Sequence, residues 1–234
     1  MNKVLYIILI SLFSFTVISC AKKSSNDSKT TTTTSSGLFV AVGDNGTILT
    51  SSDGSTWTSR TSGTTERFGG VTYGNGTFVT VVGDNGTILT SSDGSTWTSR
   101  TSGTSNKLFG ITYANSTFVA VGRSGTILTS SDATTWTSKT SGTSNKLRGV
   151  TYGNSIFVAV GYDGSIFTSS DTNSWDNRTS ASGTTVEFNQ VIYGNSTFVA
   201  FGYSGTILTS SDGTTWTSRT SGTSEHLKRV AYKE

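Results

Sequence analysis

The side chains that could carry out chemistry in this chain are few, and most of them recur at fixed positions of a repeat. The 234 residues include 14 Asp and Glu, one His and one Cys. A single histidine, His226, excludes a metal site built from several imidazoles and makes a Ser-His-Asp triad a poor explanation. A glycosidase needs two carboxylates flanking one bond, one with a raised pKa. Glu66, Glu187 and Glu225 instead fall at neighbouring positions of the repeat in different copies, which predicts a rim rather than a cluster.

The sequence therefore predicts a protein that is not an enzyme and holds no cofactor or metal, with a sialidase-like glycoside hydrolase as the alternative. Between residues 37 and 234 there are 13 basic and 13 acidic side chains, so the net charge of +3 comes from lysines near the N-terminus. A near-neutral domain lacks the basic surface that nucleic-acid binding needs.

Five aspartates recur with a tryptophan four residues later, as in the segment Ser51-Ser52-Asp53-Gly54-Ser55-Thr56-Trp57. Successive tryptophans are 40, 39, 39 and 41 residues apart. The pairs are Asp53 and Trp57, Asp93 and Trp97, Asp132 and Trp136, Asp171 and Trp175, and Asp212 and Trp216. This segment resembles the Asp-box, or BNR repeat. It departs from the usual Ser-x-Asp-x-Gly-x-Thr-Trp pattern because glycine follows aspartate directly.

The resemblance implies a β-propeller in which this motif is structural. In that family the aspartate accepts hydrogen bonds from N–H groups of its own turn, and the tryptophan packs between blades. Sialidases, sortilin-type receptors and photosystem assembly factors carry such repeats, so the motif alone implies no particular activity.

The elements that position these residues are four short strands per repeat. One segment of 21 residues occurs unchanged at 44–64 and 84–104. In the third copy we predict strands a to d at 108–113, 117–121, 126–130 and 136–140, separated by Asn, Gly, Ser and Asp turns. Four antiparallel strands in about 40 residues are typical of one propeller blade. Residues 37–234 are thus predicted to form a five-bladed β-propeller.

The two ends of the array complement each other. The first copy begins at Gly37 and lacks strand a, whereas the last copy continues past its strand d into 226–234, which reads as a spare strand a. We predict that this C-terminal strand pairs into the N-terminal blade and closes a monomeric ring, which removes two open edges. The alternative is an open array that closes only by oligomerising.

The N-terminus reads as an export signal. Lys3 precedes an apolar run over 4–17, too short and too early for a membrane-spanning helix, and the run ends at Cys20, the single cysteine. The segment Val17-Ile18-Ser19-Cys20 resembles the lipobox of bacterial lipoproteins. That resemblance implies cleavage of a signal peptide over 1–19 and acylation of Cys20, with the lipid holding the protein at a membrane. An ordinary secretory signal is the alternative.

Residues 20–36 then form the lipidated cysteine and a flexible Ser- and Thr-rich tether. Ala21 stands where lipoproteins kept at the inner membrane often carry Asp. This favours the outer membrane, on its periplasmic or cell-surface side, as the location.

The copies diverge mainly on one face. In propellers the b–c turns and the d–a connections open on the same face, and here these segments vary between repeats while the Asp-box turns do not. Exposed Tyr and Arg residues are typical of recognition surfaces. The candidate ligand-binding residues are Arg123, Tyr162, Tyr203, Arg148 and Lys228. We expect a protein or glycan ligand at this face. A multivalent lectin is the alternative function. Neutral drift of surface turns is the simplest alternative explanation for the divergence between copies.

Overall fold

The computed structural model describes residues 37–233, which form nineteen β-strands in five antiparallel sheets. The leader, Cys20 and the tether lie outside the described residues. Blade 1 contains β1 (Phe39–Val42), β2 (Ile48–Ser51) and β3 (Thr58–Arg60). Blade 2 contains β4 (Phe68–Gly74), β5 (Thr77–Val82), β6 (Ile88–Ser91) and β7 (Thr98–Arg100). Blade 3 contains β8 (Leu108–Ala114), β9 (Thr117–Gly122), β10 (Ile127–Ser130) and β11 (Thr137–Lys139).

The last two blades repeat the four-stranded pattern. Blade 4 contains β12 (Leu147–Gly153), β13 (Ile156–Gly161), β14 (Ile166–Ser169) and β15 (Asp176–Asn177). Blade 5 contains β16 (Phe188–Gly194), β17 (Thr197–Gly202), β18 (Ile207–Ser210) and β19 (Thr217–Arg219). Each sheet is a meander in which strands pair in chain order. The prediction of four antiparallel strands per repeat is confirmed, as is the missing strand a of blade 1.

Strand d begins later than predicted. In the third repeat it covers Thr137–Lys139, and Trp136 precedes it. The Trp136 indole N–H donates to the Ala133 carbonyl at 3.2 Å, so the tryptophan belongs to the turn rather than to the strand.

The a–b hairpins follow from their turn residues. The central pairs all have positive φ, as in a type I′ turn, which favours Asn followed by a small residue. These pairs are Asn75-Gly76, Asn115-Ser116, Asn154-Ser155 and Asn195-Ser196. Each tight turn fixes the register of its two strands, so that Tyr113 faces Phe118 with ring centroids 4.4 Å apart.

The hydrophobic core lies between blades. Val79 and Val81 of blade 2 pack against Leu108, Phe118 and Leu128 of blade 3, and all five are fully buried. The next two boundaries repeat this arrangement. Five small sheets therefore stack on one another through successive apolar layers.

Small residues on strand a allow close contact between adjacent blades. A Cβ atom on Gly153 would lie 2.1 Å from the Tyr193 ring, so the glycine is needed for the ring of the next blade to pack there. Gly74 stands in the same relation to Tyr113.

The C-terminal segment, residues 227–233, lies against blade 5 where a following blade would place its strand a. Leu227 N–H donates to the Gly202 carbonyl at 2.8 Å, and Tyr232 packs over Gly194. The segment has no strand assignment, and β1 pairs with β2 alone among the described residues. Closure of the ring therefore stays a prediction. At the open ends Trp57 is 41% exposed and Tyr232 is 48% exposed.

No helix among residues 37–233 has the length and apolar character needed to cross a membrane.

Candidate ligand-binding face

The variable face is formed by the b–c turns together with the chain that enters each strand a. Main-chain hydrogen bonds hold the two together across blade boundaries. Gly125 N–H of blade 3 donates to the Asn145 carbonyl at 2.8 Å, on the chain entering blade 4. Gly46, Gly164 and Gly205 make the equivalent bonds. The side chain at the first turn position thus lies beside the residue that precedes the next strand a.

At the first two boundaries this arrangement brings opposite charges together. Arg67 Nε lies 2.9 Å from Asp44 Oδ1, between blades 1 and 2. Lys107 Nζ lies 3.4 Å from Asp84 Oδ1, between blades 2 and 3. Both pairs are partly exposed, so each contributes at most about 1 kcal/mol to stability. They nevertheless neutralise the rim at these two positions.

The third boundary differs. Arg123 replaces the aspartate of the turn, whereas Lys146 keeps the cationic position held by Arg67 and Lys107. The Lys146 ammonium lies over the Tyr162 ring, with Nζ 4.3 Å from the ring centroid, and Arg148 Cζ lies 5.7 Å from the same centroid. These distances are those of cation–π contacts. Arg123 is exposed, and Lys146, Arg148 and Tyr162 are half-buried.

The last boundary carries an aromatic pair. The Tyr203 and His226 rings have centroids 4.1 Å apart, and His226 Nδ1 accepts a hydrogen bond from the Ser204 N–H at 3.1 Å. This hydrogen bond attaches His226 to the b–c turn of blade 5. No group of three or more His, Cys, Asp and Glu side chains that could hold a metal ion occurs among residues 37–233.

Two of the five candidate residues, Arg148 and Tyr162, are in contact in the structure. Arg123 lies in the turn at the boundary between blades 3 and 4, Tyr203 lies in the turn of blade 5, and Lys228 is exposed on the C-terminal segment. Sequence reasoning missed Lys146. The signal was available, because Lys146 aligns with Arg67 and Lys107 immediately before each strand a.

The opposite face is occupied by the five aspartate turns. Asp93 Oδ1 accepts hydrogen bonds from the Thr96 N–H at 2.8 Å and the Ser95 N–H at 2.7 Å. These two bonds, with a third from the Ser91 hydroxyl, lower the pKa of Asp93 from 3.8 to about 2. The same cause lowers the pKa of the other aspartates in this position, which are Asp53, Asp132, Asp171 and Asp212.

The tryptophans close these turns and extend the apolar layers. Each indole N–H donates to a carbonyl three residues earlier, as Trp216 does to Gly213 at 3.0 Å. The Trp216 ring then packs near Phe198, with centroids 6.4 Å apart, and is only 8% exposed.

The aspartates of these turns are poorly suited to act as general acids. A general acid needs a raised pKa, whereas hydrogen bonds within the turn lower the pKa of Asp93.

No protein-family model matches the chain, and no curated protein matches its sequence. Solved structures do share its fold. YCF48 bound to D1 peptide superposes with a TM-score of 0.59 at 19% identity, covering 76% of this chain and 62% of that one. YCF48 from Cyanidioschyzon merolae gives a TM-score of 0.63 at 15% identity, covering 84% and 74%.

A computationally designed protein, Ika8, gives a TM-score of 0.59 at 14% identity, covering 85% of this chain and 65% of that one. At these identities the likeness shows the fold alone, which is that of a β-propeller. The chain spans 62% of the length of the YCF48 chain solved with D1 peptide.

Proposed function

We propose that the chain is a lipid-anchored, extracytoplasmic propeller that binds a protein partner through its variable face. The observation that carries the proposal is the change of side chains around that face while its backbone contacts repeat. Two boundaries hold ion pairs, the third holds cations on an aromatic ring, and the last holds an aromatic pair. A rim whose charges and aromatic rings differ from one boundary to the next can match the surface of one particular partner.

The opposite face supports the same assignment by contrast. Its aspartates and tryptophans satisfy hydrogen bonds within their own turns, as Asp93 and Trp97 do. The YCF48 structure solved with D1 peptide supplies a precedent, since it is a propeller of similar fold with a peptide ligand. A lectin with equivalent sites in every blade would need five similar boundaries, and a hydrolase would need a carboxylate pair with a raised pKa.

A pull-down from detergent-solubilised membranes tests the binding face. The full-length chain is compared with a variant carrying Arg123→Ala, Tyr162→Ala and Tyr203→Ala, and with the control Arg219→Ala on the outer edge of blade 5. We expect the triple variant to lose a captured protein that the control retains. Equal capture by all three proteins would reject this face as the binding surface, and turnover of fluorogenic glycosides would reject the assignment as a non-enzyme.

Anchoring through Cys20 is the second part of the proposal. Three acyl chains on an N-terminal cysteine would hold the protein at a membrane, whereas a single chain anchors only marginally. Cells fed an alkyne fatty acid should label the wild-type chain and leave Cys20→Ser unlabelled. Fractionation on a sucrose gradient then tests the outer-membrane location, and an unlabelled wild-type chain would contradict the lipoprotein assignment.

We further propose that the ring closes within one chain. In blades 2 to 5 the strand-a tyrosine faces the strand-b phenylalanine, as Tyr152 faces Phe157. By the same register Tyr232 would face Phe39 and Ala231 would face Val40. The C-terminal segment would therefore supply the strand a that blade 1 lacks, in the register of the other blades.

Paired cysteines at Val40 and Ala231, in the Cys20→Ser background, test closure. An oxidised protein with the mobility of a compact monomer would support pairing within the chain. Disulfide-linked dimers would show pairing with a second copy, and free thiols in folded protein would show that the two ends do not meet.

A further inference from the structure

We propose that the boundary between blades 3 and 4 binds a carboxylate of an acidic peptide segment. The inference deepens the proposed protein-binding function, on which it rests, by naming the chemistry of the ligand and the residues that contact it. These residues are Arg123, Lys146, Arg148 and Tyr162, hereafter the cationic cluster.

The argument begins from a comparison of three equivalent positions. The turn residue and the residue before the next strand a form Asp44–Arg67 and Asp84–Lys107 ion pairs at the first two boundaries. The main-chain bond that fixes this juxtaposition is the same at the first and third boundaries, from Gly46 to Glu66 and from Gly125 to Asn145, each at 2.8 Å. The fold therefore places two cations where it elsewhere places a cation and an anion.

Lys146 contacts an aromatic ring instead of an acid. Its ammonium lies on the Tyr162 ring of the following turn, 4.3 Å from the centroid. Tyr162 N–H in turn donates to the Lys146 carbonyl at 2.9 Å, which keeps the ring next to the lysine. The ring holds the ammonium without neutralising it.

The acids closest to the cluster along the chain leave it charged. Asp163 follows Tyr162 and is exposed, and Glu187 is half-buried before β16. Neither makes an ion pair with a member of the cluster within 4.0 Å among residues 37–233. Two cations on the Tyr162 ring, together with Arg123 in the preceding b–c turn, can therefore bind an external anion.

The chemistry of the cluster selects a carboxylate carried by a peptide. Guanidinium groups bind carboxylates with paired hydrogen bonds, and an ammonium adds a point charge. The Tyr162 ring offers an apolar surface beside the charges, against which the methylene groups of a Glu side chain would pack.

The test uses the full-length chain in detergent and fluorescein-labelled hexaglutamate and hexaglutamine peptides as probes. Fluorescence anisotropy should show binding of hexaglutamate, weakened by salt, and at least about tenfold weaker binding of hexaglutamine. Arg123→Asp restores the side chain that blades 1 and 2 use, so this variant is expected to fold. It should weaken hexaglutamate binding by about tenfold or more.

Lys139→Asp is the matched control, because it makes the same charge change on the outer strand of blade 3. It should alter the affinity less than twofold. Equal losses in Arg123→Asp and Lys139→Asp would reduce the effect to overall charge and overturn the proposal. Arg123-dependent binding of phosphatidylglycerol vesicles without binding of hexaglutamate would also overturn it in favour of a lipid surface.

The pull-down described above separates this inference from the proposed function. Capture of a partner by both the wild type and Arg123→Asp, with no hexaglutamate binding, would retain protein binding and reject the carboxylate site. Loss of capture by the triple alanine variant together with weaker hexaglutamate binding by Arg123→Asp would support both.

Discussion

Replacing Gly125 by alanine should destabilise the protein far more than the same change at Gly142. Both glycines have positive φ, at +65° and +76°. A Cβ atom on Gly125 would lie 1.9 Å from the Thr143 carbonyl oxygen and 2.6 Å from the Ser141 hydroxyl oxygen. A Cβ atom on Gly142 would meet nothing within 4 Å.

The left-handed backbone costs an alanine about 1–2 kcal/mol at either position. At Gly125 the turn must also move away from the Thr143 carbonyl. This movement breaks the bond from Gly125 N–H to the Asn145 carbonyl, worth about 1 kcal/mol, and adds overpacking strain of about 1–3 kcal/mol. We therefore expect losses of about 3–6 kcal/mol for Gly125→Ala and about 1–2 kcal/mol for Gly142→Ala.

Urea unfolding followed by tryptophan fluorescence measures both losses, from the shift in midpoint at a common slope. Because Asn145 precedes Lys146, Gly125→Ala should also weaken binding at the cationic cluster, whereas Gly142→Ala should leave binding intact. Equal destabilisation by the two substitutions would refute the reasoning, since it would mean that the contact with the next chain segment places no limit on the turn.

Three further outcomes follow from the described contacts. The pKa of Asp93 is held at about 2, chiefly by the Thr96 N–H, so the contribution of Asp93 to stability is complete above about pH 4 and is lost as the pH falls towards 2. In an acid titration followed by circular dichroism, Asp93→Asn should reduce this dependence of stability on pH. Phe157→Ala empties a fully buried site and should cost about 3–5 kcal/mol in urea unfolding, and a loss below about 1 kcal/mol would contradict the packing between blades. Asp84→Ala should change stability by less than about 1 kcal/mol, because its pair with Lys107 is partly exposed, and a larger loss would show a role beyond that pair.

The repeat made the blades predictable from sequence. Short runs of apolar and small residues between turns rich in Asn, Gly, Ser and Asp indicate strands such as β9, and the hydrogen-bonding capacity of aspartate explains why Asp93 closes a turn. Divergence between copies also pointed to Arg123 and Tyr162 on one face. These features depend on residues that are close together in the sequence.

The pairing of side chains that lie far apart in the chain could not be predicted from the sequence. Lys146 reaches Tyr162 because a main-chain bond aligns two segments sixteen residues apart, and no local pattern reports that alignment. Pairing between the two ends of the array is likewise a long-range event. The sequence predicts a spare strand at 226–234, but its pairing with β1 would join residues about 190 positions apart, which no local pattern reports.

The main-chain bonds that join each b–c turn to the next blade have a consequence for how this protein can change over generations. Gly46, Gly125, Gly164 and Gly205 donate these bonds through backbone N–H groups, so the neighbouring rim side chain takes no part in them. Asp44, Arg123, Tyr162 and Tyr203 occupy the same turn position with the same backbone support. A single codon change can thus alter the charge or ring that one boundary presents, while the backbone contacts of the other boundaries remain as they were.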